Sequence, residues 1–278
     1  MQCRNFLVFG ALIAGTAVAQ PDASGSSDYQ GDRQVFEQYS DMNPFAFSLY
    51  KSNYVLPFSH SSNVTNPIIP FPERETKHTE LVFQLSFKLP LFSSLFTEKT
   101  KLYFAYTQLT FWQLYTEDPF IRETNYEPEI FITHQMNRCS KFTLGMGHES
   151  NGRGGLFERT WNRLYLDYHV DLNPYFWFSA QPWLIVFKSN SSSEHNPDIG
   201  HFLGYDQFIF GLNVGRFIAN LRLSNIESGF SRGQRELNVG YRMGKWHLFG
   251  QVFSGYGHSL LEYNHSTTAF GLGIALNV

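Results

Sequence analysis

Three residues near the middle of the chain have the types and spacing of a nucleophilic catalytic unit. In Phe142 to Ser150 the even positions are Phe142, Leu144, Met146, His148 and Ser150, and an extended strand puts them on one face. Thr143, Gly145, Gly147 and Glu149 take the other. Residues two apart on a strand stand about 6–7 Å apart, a span over which an imidazole can reach a serine hydroxyl and take its proton. Farther on, Asn162, Leu164, Leu166, Tyr168 and Val170 share a face, with Arg163, Asp167 and His169 opposite. Asn162 therefore points the same way as His148 on what the spacing predicts to be the neighbouring strand. Its side-chain carbonyl can hold the imidazole in one tautomer and orientation, the role of an aspartate in other triads. Being neutral, it costs less than a carboxylate beside apolar surroundings.

Acyl transfer also needs donors aimed at the developing oxyanion. Asn151 and Gly152 follow the serine at once, and glycine permits close backbone approach, so the Gly152 amide is the expected donor. Arg153 to Glu158 then forms a loop able to hold a cation through carbonyls and the Glu158 carboxylate. Oxygen-only ligation suits calcium rather than zinc. A zinc protease of the His-Glu-x-x-His type is excluded, because the position of its second histidine is Gly152.

The elements that must carry these residues are strands. Aromatic residues make up 17% of the 278 residues, with 28 Phe and 15 Tyr, yet mean hydropathy is only -0.26. That combination suits strands apolar on one face and polar on the other, as in membrane barrels. Leu81, Phe83, Leu85, Phe87 and Leu89 alternate with Gln84, Ser86 and Lys88, and Phe270, Leu272, Ile274, Leu276 and Val278 alternate with small or polar residues. Further alternating segments fall near 46–57, 102–115, 123–136, 140–150, 160–171, 174–188, 202–213, 216–226, 233–243 and 245–256. The expectation is an all-β, about twelve-stranded antiparallel transmembrane β-barrel over 45–278. Asn173-Pro174 and Met243-Gly244 read as tight turns at one end, and 117–122 and 188–197 as longer loops at the other. On such a barrel His148, Ser150 and Asn162 face the membrane, where polar groups are expensive and usually functional.

Upstream, Arg4, the apolar run Phe6 to Ala14 and Ala17-Val18-Ala19 read as a secretory signal over 1–19, too short to span a bilayer of about 30 Å. Residues 20–44 read as a polar periplasmic extension. The net charge of -3 leaves no basic footprint for nucleic acid.

The stretches GHESNG (Gly147 to Gly152) and RTWNRLY (Arg159 to Tyr165) resemble the signature of the outer-membrane phospholipase A family. So do RETNYEP at Arg122 to Pro128, NPDI at Asn196 to Ile199 and SGYGHSLLEYN at Ser254 to Asn264. The resemblance implies a twelve-stranded barrel that hydrolyses phospholipid acyl esters with a triad matching His148, Ser150 and Asn162. It also implies a homodimer with calcium between the subunits. Arg153 matches the family's carbonyl donor, and Glu158 stands where the family has a hydroxyl ligand, a departure that a carboxylate accommodates. The partner subunit's ligand maps to Glu117 or Asp118, Tyr126 to a tyrosine near the acyl chain, and Gln108 to a glutamine in the dimer interface. Two other readings remain at this point: a lipopolysaccharide deacylase, expected to have about eight strands, and a non-enzymatic pore.

Overall fold

Strand alternation is what the chain builds on. The computed structural model describes residues 47–64, 74–187 and 195–278; the expected signal (1–19) and extension (20–44) lie outside the described residues. The strands are β1 (Ser48–Leu49), β2 (Asn53–Ser61), β3 (Thr79–Phe92), β4 (Thr100–Gln113), β5 (Phe120–Asn137), β6 (Ser140–Ser150) and β7 (Thr160–Asp171). After them come β8 (Phe176–Val186), the short helix α1 (Ile199–Leu203), β9 (Asp206–Val214), β10 (Phe217–Ser224), β11 (Gln234–Met243), β12 (Trp246–Tyr256) and β13 (Ser266–Asn277). Each strand from β2 to β13 pairs antiparallel with its chain neighbour, and β13 returns to β2 with Leu272 opposite Phe58. Twelve strands thus close into a barrel with no free edge, while β1 pairs with β3 beyond the end of β2. Twelve is the expected number, and not the eight of the deacylase reading.

The outer face carries the apolar sets. Leu81, Phe83, Leu85, Phe87 and Leu89 point out while Glu80, Val82 and Ser86 point in and are buried. On β13, Phe270, Leu272, Ile274 and Leu276 are exposed and Ala269 and Ala275 buried. No helix among the described residues is long and apolar enough to cross a membrane, and none is needed, because a closed barrel satisfies every backbone donor between strands. The 18 residues of β5 extend roughly 60 Å at about 3.4 Å each, more than a tilted crossing of the hydrocarbon requires. Its end therefore projects past the apolar zone.

The two ends differ. Two-residue turns at Gly215-Arg216 and Gly244-Lys245 close β9–β10 and β11–β12; Gly244 has φ 70°, which the first position of such a turn demands. The connections at the opposite end, such as 151–159 and 257–265, are longer. The lumen is filled from that end. Trp161, Tyr165, Trp183, Leu260 and Tyr263 join one buried cluster, and a cavity of about 750 Å3 remains along the barrel, lined by charged and aromatic groups. Inside it Lys51 pairs with Glu127 at 2.6 Å and Glu129 at 2.9 Å, and Arg163 with Glu127 at 2.5 Å.

Three boundaries differ from the sequence expectation. The first long strand is Asn53–Ser61 rather than 46–57, because Pro57 sits at an irregularity between Leu56 and Ser59 and does not end the pairing. The segment 202–213 begins in α1 and becomes strand only at Asp206. The loop expected over 117–122 ends earlier, since Phe120, Ile121 and Arg122 already belong to β5.

Candidate active site

The strand pair β6–β7 places His148 directly opposite Asn162. Both point outward, with exposed Leu144, Met146, Leu164 and Leu166 below them on the same face. His148 Nδ1 lies 2.9 Å from Asn162 Oδ1. An amide oxygen can only accept, so Nδ1 carries the proton and donates, which leaves the lone pair on Nε2 free to accept one. Ser150 is two residues along on that face, opposite Thr160 of β7 and Tyr126 of β5. Among the described residues no hydrogen bond joins the Ser150 hydroxyl to the ring; side-chain rotation can close the distance, and catalytic contacts are often loose before substrate binds.

The inner face fixes this pair from behind. Glu149, between the histidine and the serine in sequence, turns into the lumen and accepts from Trp161 Nε1 at 2.9 Å and from Arg163 Nη2 at 3.2 Å. Gly145 is required for packing: a Cβ there would lie 2.4 Å from the Tyr165 ring, which crosses the lumen beside it.

Past Ser150 the chain forms a tied loop. Buried Asn151 donates through Nδ2 to the Phe157 carbonyl at 2.9 Å, and its Oδ1 accepts from the Arg159 amide at 3.0 Å and the Arg153 amide at 3.3 Å. Gly152 has φ 63°, a left-handed conformation, and a Cβ there would meet the Tyr126 ring at 3.0 Å. A 3-10 turn at Gly155–Phe157 leads to Glu158, which is half-buried.

Sequence-expected residues farther away fall into place unevenly. Gln108 faces outward on β4, accepting from the Tyr106 hydroxyl at 3.0 Å and donating to Thr110 Oγ1 at 3.1 Å. Tyr126 stands beside the Gly152 turn. Glu117 and Asp118 are exposed in the β4–β5 loop at the same end of the barrel, and Asp118 pairs with Arg74 at 3.2 Å. Oxygen donors thus surround this rim, but among the described residues no three His, Cys, Asp or Glu side chains of one chain converge on a point.

A second group was not singled out from the sequence. Arg122 is buried, held by Glu80 through Nε at 2.9 Å and Nη2 at 2.7 Å, and by Glu262 at 3.2 Å. Next to it buried Glu123 accepts from Arg153 Nε at 2.8 Å. His258, from the loop between β12 and β13, packs against Phe111 and Phe253 in the same mouth. Burial pushes its imidazole below the usual range, more strongly than the Glu262 carboxylate pulls it up, so it stays neutral near pH 7. The signal for these residues is charge inside RETNYEP and SGYGHSLLEYN, blocks whose roles alternation alone does not reveal.

Comparison with known proteins gives the family and the fold. The family model described as phospholipase A1 matches residues 31–276. The chain is 34% identical over 248 residues to a phospholipase A1 of Escherichia coli K12, covering 84% of this chain and 83% of that one. Among solved structures, the calcium-bound dimer of Salmonella typhi outer membrane phospholipase superposes with a TM-score of 0.76 at 31% identity, over 84% of this chain and 93% of that one. An active-site mutant of the Escherichia coli outer membrane phospholipase, with an asparagine replaced by alanine, superposes with the same score, identity and coverage.

Proposed function

The chain belongs to the phospholipase A1 family, ester hydrolases of the bacterial outer membrane, and on that premise we propose that it hydrolyses phospholipid acyl esters with Ser150 as nucleophile, His148 as base and Asn162 as orienting group. The observation that carries this reading is the 2.9 Å bond from His148 Nδ1 to Asn162 Oδ1 on the membrane-facing side of the barrel. That a relative's active-site mutant replaces an asparagine supports the third role.

The steps follow from the tautomer. Asn162 holds the Nδ1 proton, so Nε2 takes the proton of Ser150 as its oxygen attacks the ester carbonyl carbon. The Gly152 amide donates to the oxyanion that develops. Collapse breaks the ester bond, and the imidazolium returns its proton to the departing lysophospholipid alkoxide. Water, deprotonated by the same nitrogen, then releases the fatty acid and restores the Ser150 hydroxyl. Leu144, Met146, Leu164 and Leu166 give the acyl chain an apolar track, so substrate enters sideways from the bilayer rather than through the lumen.

The Salmonella dimer supports a calcium-dependent homodimer here as well. The donors fit: the Arg153 carbonyl and Glu158 carboxylate from one copy, and Glu117 or Asp118 from the second, form an all-oxygen set. Asp118 would have to leave Arg74 to take part. Among the described residues no three His, Cys, Asp or Glu side chains of one chain are placed to hold a metal ion, and a second copy would add the further donors. Calcium bound there would supply positive charge beside the oxyanion. Outward Gln108 is the polar group expected in the contact between copies, and an association that only the dimer rewards would keep the lone protomer inactive.

The test is fatty-acid release from phospholipid in mixed micelles, with calcium or a chelator, for wild type and Ser150→Ala. Calcium-dependent release that falls by about 10³-fold or more in the variant is expected. Folded wild-type protein that releases no fatty acid with calcium present would falsify the reading.

A further inference from the structure

The turn after Ser150 is anchored from inside the barrel by one carboxylate. Between β4 and β5 the register slips: Phe111 lies opposite Glu123, but Trp112 lies opposite Ile121. The extra residue is Arg122, and the bulge breaks strand alternation so that Arg122 and Glu123 are both turned inward and buried. Regular pairing would have sent one of them to the lipid. The bulge aims Glu123 at the loop of the neighbouring β6–β7 pair, where its Oε2 accepts from Arg153 Nε at 2.8 Å. Its Oε1 accepts from Asn125 Nδ2 at 3.1 Å, and Asn125 Oδ1 accepts the Leu260 amide of the mouth loop at 3.0 Å. The Arg153 guanidinium is held a second time, since its Nη2 donates to the Arg122 carbonyl.

The consequence is both geometric and electrostatic. Arg153 follows Gly152, so a side chain pinned inward ties down the backbone of this exposed turn from behind. A bare guanidinium there would also repel a cation held by the same residue's carbonyl, and in a half-buried site that repulsion is weakly screened. A carboxylate at 2.8 Å removes it.

We propose that Glu123 is a positioning residue for ester hydrolysis: its buried carboxylate anchors the Arg153 guanidinium behind the Gly152–Arg153 turn and cancels the charge that would oppose calcium on the outer side. The inference rests on the function proposed above and extends it to a residue that touches neither substrate nor ion.

The experiment uses the full barrel in detergent micelles, with folding checked by heat-modifiable gel migration. Protomer association is followed by sedimentation while calcium is titrated, and kcat and KM are measured at saturating calcium. Glu123→Gln, which keeps the shape and removes the charge, is expected to raise the calcium midpoint of association by about 10-fold. It should lower kcat by a similar factor and leave KM within about two-fold. Glu123→Asp should recover part of both losses. The double variant Glu123→Gln/Arg153→Met should be no worse than Arg153→Met alone, because Glu123 acts through Arg153. Should the Gln variant not fold, Glu123→Asp and Arg153→Met carry the same comparison. Wild-type association that ignores calcium would mean that the calcium-dimer reading has failed, and the kcat of Glu123→Gln then decides the anchoring role. A Gln variant with wild-type midpoint and kcat overturns the proposal.

Discussion

Polar side chains at the long-loop end of the barrel are arranged differently on the two faces of one sheet. On the outer face of β6–β7 there are few: His148, Ser150, Asn162 and, opposite the serine, Thr160, above a field of exposed leucines and a methionine, with a hydrogen bond from His148 to Asn162. On the inner face, Glu80, Arg122 and Glu262 are buried, and each is tied by more than one charged or polar neighbour. The outer groups are left incompletely bonded and face the medium from which the proposed substrate would come. The inner groups are fully engaged, since a buried charge is tolerated only when paired and hydrogen-bonded. Dense bonding marks the scaffold here, and sparse bonding at an expensive place is where the proposed chemistry sits.

Breaking the inner cluster should give the largest effect on stability. Arg122→Met removes the cation that bridges Glu80 and Glu262 and leaves both carboxylates buried without it. Losing one partner of such a cluster costs about 3–5 kcal/mol, or roughly 150- to 5,000-fold in the unfolding equilibrium. The denaturant midpoint, read from heat-modifiable migration in a guanidinium series, should fall clearly while Ser150→Ala leaves it in place. An unchanged midpoint in Arg122→Met would mean that the cluster is not what holds the mouth together.

The outer face responds the other way, in rate and not in stability. Asn162→Ala removes the acceptor that fixes the His148 tautomer, and the loss expected in kcat is about 10- to 100-fold. Asn162→Asp should retain more, since it restores an acceptor on Nδ1–H. If alanine and wild type turn over equally, Asn162 is a spectator and the histidine is oriented by something else. The urea midpoint of both variants should match wild type, because a half-exposed group on the lipid side contributes little to the barrel.

The same contrast explains what the sequence made legible. The outer site could be read because strand parity has period two: His148, Ser150 and Asn162 interrupt apolar positions on a face expected to be apolar, and the structure puts them there in register. Parity has no place for Arg122 and Glu123 together, since two adjacent residues of a regular strand cannot both face inward, and the bulge that turns them arises only from pairing with β4. The segment expected as strand from 202 starts inside the helix Ile199–Leu203, because an apolar run of that length has no distinguishing period. Residues contributed by a distant loop, such as Glu262 and His258, belong to the mouth through chain closure, which local pattern does not encode.

The smallest effect belongs to His258, which sits between the two kinds of region: it is buried in the mouth, yet its Nδ1 has no hydrogen-bond partner among the described residues. The groups facing it are Glu262, Glu80 and Glu236 on the acidic side and Arg122 on the basic side, with Phe111 and Phe253 packed on the ring. Burial is the largest influence and lowers its pKa from the ordinary value of 6.5. The closed loop therefore favours the neutral ring, while an opened loop exposes a ring of ordinary basicity. Above about pH 6.5 neither state is protonated and the loop gains nothing from pH. As pH falls below that value the open state takes up a proton that the closed state resists, so closure weakens. Amide exchange at Leu260 to Tyr263, corrected for its intrinsic pH dependence, should show less protection at pH 5.5 than at 7.5 in wild type. His258→Gln should remove the difference while leaving the denaturant midpoint of the barrel near wild type. Equal loss of protection in both proteins would assign the pH response to the carboxylates of the inner cluster instead, and those would then be less firmly held by Arg122 than the contrast with the outer face requires.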